Sequence, residues 1–286
     1  MKTVFKQKTV DRPGTLKGVG LHTGVEGSVT VKPAAVNRGI RFFRKGKEIG
    51  RLGTDAQYLR NGRLRCSFIG EGENQLLTVE HLLAACQGLG VTNADIEAQG
   101  PEVPALDGSA KPFVDFLKRL GLEEQESPDH PYRIQEPIFC HDKGKALCAL
   151  PADELVISYL LDYDHPYLRD QKVRFTVTPE TFERDIAPAR TFCTIQEAGE
   201  LKNTGFGLGG NSENTLVVPH GGLDKTKLRF PDEYVRHKVL DLLGDLALLG
   251  APLIGRIIGL RSGHRLNRQL VHEIMKQRGL HGQHQA

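Results

Sequence analysis

Two related α+β domains are what this sequence predicts, from a repeated order of elements, matching spacings between polar side chains, and a linker-like stretch between the halves. The first half reads helix (Val79 to Gln87), Leu89-Gly90, strand (Asn93 to Ala98), a loop with Asp107-Gly-Ser109, and helix (Pro112 to Leu120). The second reads helix (Asp232 to Leu248), Leu249-Gly250, strand (Ile254 to Leu260), a loop with Ser262-Gly-His264, and helix (Leu266 to Arg278). His81 precedes Asp107 by 26 residues, and His237 precedes Ser262 by 25 and His264 by 27. Glu123 to Pro131, acidic and broken by Pro128 and Pro131, is the linker candidate. The domains are therefore expected at 1–126 and 127–286, related by a pseudo-twofold axis, with the site in the cleft between them.

The elements follow from local chemistry. The Thr78 hydroxyl suits an N-cap for the helix that opens at Val79. In the second half, Val235, Val239, Leu242, Leu243, Leu246 and Leu249 recur at helical spacing from Asp232 onward. Between the halves' repeats, Phe192 to Val218 reads as a short strand, a helix around Ile195 to Leu201, a Gly-rich turn and a strand from Thr215 to Val218. Gly205-Phe-Gly207-Leu-Gly-Gly210 matches the dinucleotide fingerprint in letters only. That motif needs a strand before it and a helix after it, whereas Lys202-Asn-Thr precedes this one and Asn211-Ser-Glu-Asn follows, so it is a loop.

The chemistry is concentrated in His237, Asp241 and Asp245, which lie four residues apart and share one helix face. Taken alone, such a pair often only stabilises a solvated face, and Glu80-His81 in a helix's first turn often only follows the preference of acids for N-termini. Their occurrence in both halves points further. Two His, an Asp, a free Glu and another His supply the parts of a zinc hydrolase: three ligands with an open position, a base for water and an acid for the leaving group. Cys140-His141, Cys148 and His165 stand at no ligand spacing, so no second metal site is expected. His281 and His284 lie in a polar tail.

These strings resemble one family, the UDP-3-O-acyl-N-acetylglucosamine deacetylases of lipid A biosynthesis. The likeness spans nearly the whole chain: Lys8-Thr-Val, Gly18-Val-Gly-Leu-His22-Thr-Gly24, Thr78-Val-Glu80-His81, Glu102-Val-Pro-Ala-Leu-Asp107-Gly-Ser, Ala189-Arg-Thr191-Phe192, Leu208-Gly-Gly, Asp232 to Asp241, and Ser262-Gly-His264. The resemblance implies a monomer of two domains, each a sheet packed on helices in two layers and each with a small insert. It implies zinc(II), one per chain, on His81, His237 and Asp241, with iron(II) or cobalt(II) also suiting such a site. Glu80 resembles the general base, Thr191 the hydroxyl donor to the oxyanion, and His264 the acid for the departing amine, with Asp245 as its partner. A scheme in which Glu80 serves as both base and acid is also chemically sound.

The implied substrate is a UDP-sugar with a long acyl chain. The insert at about 192–218 then forms the acyl passage, with Phe192, Ile195 and Leu201 as apolar linings. Tyr159, Lys238 and Arg261 carry over as uridine or phosphate contacts, Arg being suited to phosphate by its paired donors. Asp107 is expected to orient the site from behind, or merely to cap its loop. The alternative function is a non-catalytic metal-binding scaffold on the same fold.

Composition excludes little beyond this. With 286 residues and a net charge of +3, the chain has no basic character that would argue for nucleic acid. Five dispersed Cys suit a reducing compartment. The N-terminus lacks the apolar core of a signal peptide, and no run approaches the ~20 apolar residues of a membrane span. The expected protein is a cytoplasmic monomer that acts on a small molecule without stable membrane insertion.

Overall fold

A computed structural model describes residues 6–54, 65–221 and 227–277 of the chain; His281 and His284 lie outside them. The first half contains β1 (Lys6–Val10), β2 (Gly14–Val19), β3 (Glu26–Pro33), β4 (Ile40–Arg44), β5 (Lys47–Arg51), β6 (Phe68–Ile69), β7 (Leu76–Leu77), α1 (Glu80–Leu89), β8 (Ala94–Gln99), α2 (Lys111–Leu120) and β9 (Leu122–Pro128). The second contains β10 (Tyr132–Arg133), β11 (Ile138–Asp142), β12 (Lys145–Leu150), β13 (Leu155–Leu161), β14 (Gln171–Thr176), the single turn α3 (Pro179–Thr181), β15 (Phe192–Thr194), α4 (Ile195–Asn203), β16 (Leu216–Val218), α5 (Glu233–Leu246), β17 (Leu253–Leu260) and α6 (His264–Gln277).

The repeat read from sequence is present in the pairing. One sheet runs β2-β3-β8-β4-β5 and the other β11-β12-β17-β13-β14. In each, the third strand in this order, β8 or β17, is parallel to its neighbour β4 or β13, and the other pairs along the order are antiparallel; β10 adds a second parallel partner to β17. α1 ends on a left-handed glycine, Gly90 at φ 73°, and the 3-10 turn Ala247–Leu249 that follows α5 ends on another, Gly250 at φ 68°, where a Cβ would be strained. The expected helices and strands of both repeats agree with the structure to within about two residues, the usual scatter of element ends.

The linker expectation changes. The linker Glu123 to Pro131 is mostly strand: β9 pairs antiparallel with β1, and the polar residues that suggested a linker make cross-strand ion pairs, Lys6 with Glu126 at 3.2 Å and Lys8 with Glu124 at 3.7 Å. The boundary expected at 126/127 therefore falls inside β9. The apolar core is also continuous, with Val29, Phe42 and Leu83 of the first half in one cluster with Leu147, Ile157 and Leu242 of the second. α1 and α5 lie at its centre, packed on each other and buried on nearly every side.

Their contact is backbone-close. A Cβ at Gly244 of α5 would lie 2.1 Å from the Glu80 carbonyl oxygen at the start of α1. Glycine at this position lets the two site-bearing helices touch. Gly244→Ala is expected to force them apart at the cost typical of overpacking, about 1–3 kcal/mol, with a lower melting temperature in thermal denaturation. An unchanged melting temperature would refute the close approach.

Candidate active site

α1 and α5 bring His81, His237 and Asp241 together, all buried, with one ligand atom from each lying within 4.8 Å of the others. His237 Nε2 is 3.2 Å and His81 Nε2 3.7 Å from Asp241 Oδ1. The other carboxylate oxygen, Oδ2, accepts from Lys238 Nζ at 2.7 Å. His237 Nδ1 lies 3.0 Å from the Ala189 carbonyl, which can only accept, so Nδ1 carries a proton and Nε2 is the atom turned toward the carboxylate. Burial, more than any neighbour, lowers the His81 pKa, so an extra proton is disfavoured there. Asp241 is held well below the usual carboxylate range: burial opposes its charge, but His237 and Lys238 outweigh it. Two imidazole nitrogens and a carboxylate oxygen converging in this way are a donor set that fits a transition-metal dication.

Glu80 and His264 flank this group. Glu80 Oε2 accepts the Ser67 backbone N–H at 3.0 Å, and Oε1 lies 3.6 Å from His264 Nε2. Burial pushes the Glu80 carboxyl up to about 7; the nearby His264 charge pulls it down, and Asp245 and Asp241 push it up. His264 opens α6, and its Nδ1 lies 2.9 Å from Asp245 Oδ2. Although burial opposes the imidazolium, Asp245 and then Glu80 raise its pKa to about 9. Asp245 is fully buried and also accepts from Asn267 Nδ2 at 2.7 Å and from the Ser67 hydroxyl. Over a neutral-pH interval this pair can hold a carboxylate and an imidazolium facing each other.

A cavity of about 610 Å³ opens onto the group. Phe192, Leu201 and Val217 of the 192–218 insert reach it, as do Thr191 and Lys238. The insert has the expected order, with β15 and β16 paired in parallel around α4 and the Gly-rich turn. Phe192 lies 6.3 Å, centroid to centroid, from the His237 ring.

Other expected residues stand elsewhere. Ile195 is 57% exposed and does not line the cavity. Tyr159 is buried, with its hydroxyl donating to the Ser262 carbonyl at 2.6 Å, because β13 turns that side chain into the core. Arg261 pairs with Asp162 at 2.5 Å and is likewise off the cavity wall. Asp107 caps its own loop through the Ser109 N–H and hydroxyl and pairs with Arg229 at 2.8 Å, so it orients none of the ligands. Thr78 is not an N-cap. Its backbone is left-handed, φ 57°, and its hydroxyl donates to buried Glu102 at 2.6 Å, leaving Val79 at the cap position.

The sequence reading gave no role to several residues in the cavity wall. Lys145 and Arg265 add cations to Lys238, and Arg65, paired with Glu197 at 2.8 Å, ties the insert to the first half. His22 lay within a quoted string but had no assigned part. Glu102 fixes its backbone N–H through both carboxylate oxygens, at 2.9 and 3.1 Å, and its ring meets Phe206 edge-on at 5.6 Å. The run Gly18 to Gly24 was the available signal for it.

Residues 7–276 match the family model described as UDP-3-O-acyl N-acetylglycosamine deacetylase. Three similar proteins bear the name UDP-3-O-acyl-N-acetylglucosamine deacetylase. The one from Anaeromyxobacter sp. (strain Fw109-5) is 36% identical over 280 residues, 98% of this chain and 91% of its own length. The one from Acidithiobacillus ferrooxidans (strain ATCC 53993 / BNL-5-31) is 38% identical over 276 residues, 95% and 90% of the two chains. The one from Leptospira biflexa serovar Patoc (strain Patoc 1 / Ames) is 37% identical over 279 residues, 97% and 92%.

Proposed function

From the premise that this chain belongs to the UDP-3-O-acyl N-acetylglycosamine deacetylase family, and so is a hydrolase that deacetylates UDP-3-O-acyl-N-acetylglucosamine in lipid A biosynthesis, we propose how its residues do so. His81, His237 and Asp241 hold one zinc(II), with iron(II) as the alternative ion. When bound, the ion supplies Lewis acidity, which acidifies the attacking water and polarises the acetamide carbonyl.

The chain's own groups move the protons. Glu80, buried and 3.6 Å from His264, takes a proton from the attacking water. Thr191, on the cavity wall, donates its hydroxyl to the oxyanion. His264, charged through Asp245, gives its Nε2 proton to the departing amine as the C–N bond breaks, leaving acetate and the free 2-amine. The observation that carries this reading is the convergence of the His-His-Asp group with an acid and a base in one cavity.

Substrate placement follows the side chains at hand. Phe192 and Leu201 take the acyl chain in the insert, and Lys238, Lys145 and Arg265, which line the same cavity, meet the diphosphate. Glu80 and His81 come from the half at 1–126, and His237, Asp241 and His264 from 127–286. We take these as two domains whose seam is the contact of α1 with α5. All five cysteines are free, which supports a cytoplasmic setting. No helix among the described residues is long and apolar enough to cross a membrane. A monomer that binds no nucleic acid completes the reading.

The test is acetate release from the acyl UDP-sugar before and after dipicolinate treatment. Stripping should abolish activity, and about one zinc per chain, the count a single three-ligand site can hold, should restore it. Folded protein that releases no acetate with any divalent ion would overturn the catalytic reading and return the scaffold alternative.

A further inference from the structure

Arg268 is an unusual residue to bury. It is 1% exposed, yet among the described residues no carboxylate pairs with it. Its Nη1 donates to the Cys66 carbonyl at 3.2 Å and to the Ser67 hydroxyl oxygen at 3.3 Å, and its guanidinium lies 5.7 Å over the Phe68 ring. A buried cation is costly unless nearby groups compensate it. Here the compensation is reached through an intermediary, Ser67, which is itself fully buried.

Ser67 makes three contacts with the site and its support. Its backbone N–H donates to Glu80 Oε2 at 3.0 Å, its hydroxyl bonds Asp245 Oδ1, and its hydroxyl oxygen faces Arg268. Donor chemistry leaves one arrangement. A guanidinium only donates and a carboxylate only accepts. The hydroxyl therefore accepts from Arg268, and its single proton goes to Asp245. Asp245 Oδ2 then takes Asn267 Nδ2 at 2.7 Å and His264 Nδ1 at 2.9 Å. His264, Asn267 and Arg268 sit at i, i+3 and i+4 in the first turns of α6, on one face of that helix.

We propose that Ser67, with its hydroxyl aimed by Arg268, is the positioning residue that sets the general base and the general acid relative to each other. Its main chain holds Glu80, and its side chain holds the carboxylate that orients His264. Neither contact reaches the substrate. The proposal rests on the assignment of Glu80 as base and His264 as acid made above.

The experiment uses the zinc-loaded full chain, with steady-state acetate release, metal content and thermal melting measured for each variant. Ser67→Ala should lower kcat about 10–100-fold, the range for a group that orients another, while KM and one zinc per chain are kept. Ser67→Thr, which retains the hydroxyl, should recover most of kcat. If the hydroxyl acts through His264, its loss should cost little in a His264→Gln background, because coupled residues are not additive.

Wild-type kcat for Ser67→Ala, or an equal loss in both backgrounds, overturns the proposal while leaving the acid assignment intact. Wild-type kcat for His264→Gln instead overturns the assignment itself. Arg268→Gln gives a second route should Ser67→Ala fail to fold. Glutamine can both donate and accept, so it no longer dictates the hydroxyl's direction. Reduced kcat at constant KM is expected, and unchanged kcat removes Arg268 from the arrangement.

Discussion

Glu80→Gln should leave the protein folded with its ion bound and nearly without turnover. The substitution preserves the side chain's shape and an oxygen able to accept the Ser67 N–H, which reaches the native carboxylate at 3.0 Å, and it touches none of His81, His237 or Asp241. What it removes is the proposed proton acceptor. A general base typically contributes 10²–10⁴ in rate, and burial raises the native carboxyl to about 7, close to the optimum for transfer at neutral pH. A kcat loss of about a thousandfold, within that range, is therefore expected, with metal content by elemental analysis unchanged. A variant that keeps near-native kcat would show that another group accepts the proton.

His264→Gln should separate the two acid assignments through its pH profile. In the proposed scheme, activity requires Glu80 ionised and His264 protonated. Activity should thus rise as Glu80 loses its proton near 7 and fall as His264 loses its own near 9. A bound dication draws both limbs toward acid by adding positive charge. Replacing His264 should lower kcat about 100-fold or more, the scale of a lost general acid, and abolish the alkaline limb. The acidic limb should move to higher pH, because His264 is the cation that pulls the Glu80 pKa down. If the full bell survives in the variant, His264 is not the acid and Glu80 performs both transfers.

The parts of this site that were legible in the sequence are those whose geometry is set within one helix or one turn. His237, Asp241 and Asp245 share a face because helical periodicity requires it, and Glu80-His81 repeats the theme at the start of α1. The two halves were legible because their elements recur in the same order at similar spacing. Contacts joining distant segments were not. Ser67 meets Asp245 and Arg268 across most of the chain, and no local pattern announces it.

Local rules also failed where tertiary contacts outweighed them. Thr78 has the chemistry of an N-cap, but Glu102 draws its hydroxyl away and fixes a left-handed backbone. Leu122–Pro128 has the composition of a linker, but Lys6 and Lys8 across the ladder neutralise part of its charge. Tyr159 and Arg261 carried over from resemblance without any spacing to place them, and each is occupied by a partner in the fold.

Over half the chain lies between His81 on α1 and the ligand pair on α5. Chains are made from the N-terminus, and the early part can organise before the rest exists. A nascent polypeptide ending before α5 has one of the three proposed ligands and lacks the glycine-lined contact that brings them together. On the proposed ligand set, the three donors meet only once α5 has docked on α1, and an ion bound there would favour the joined helices by mass action.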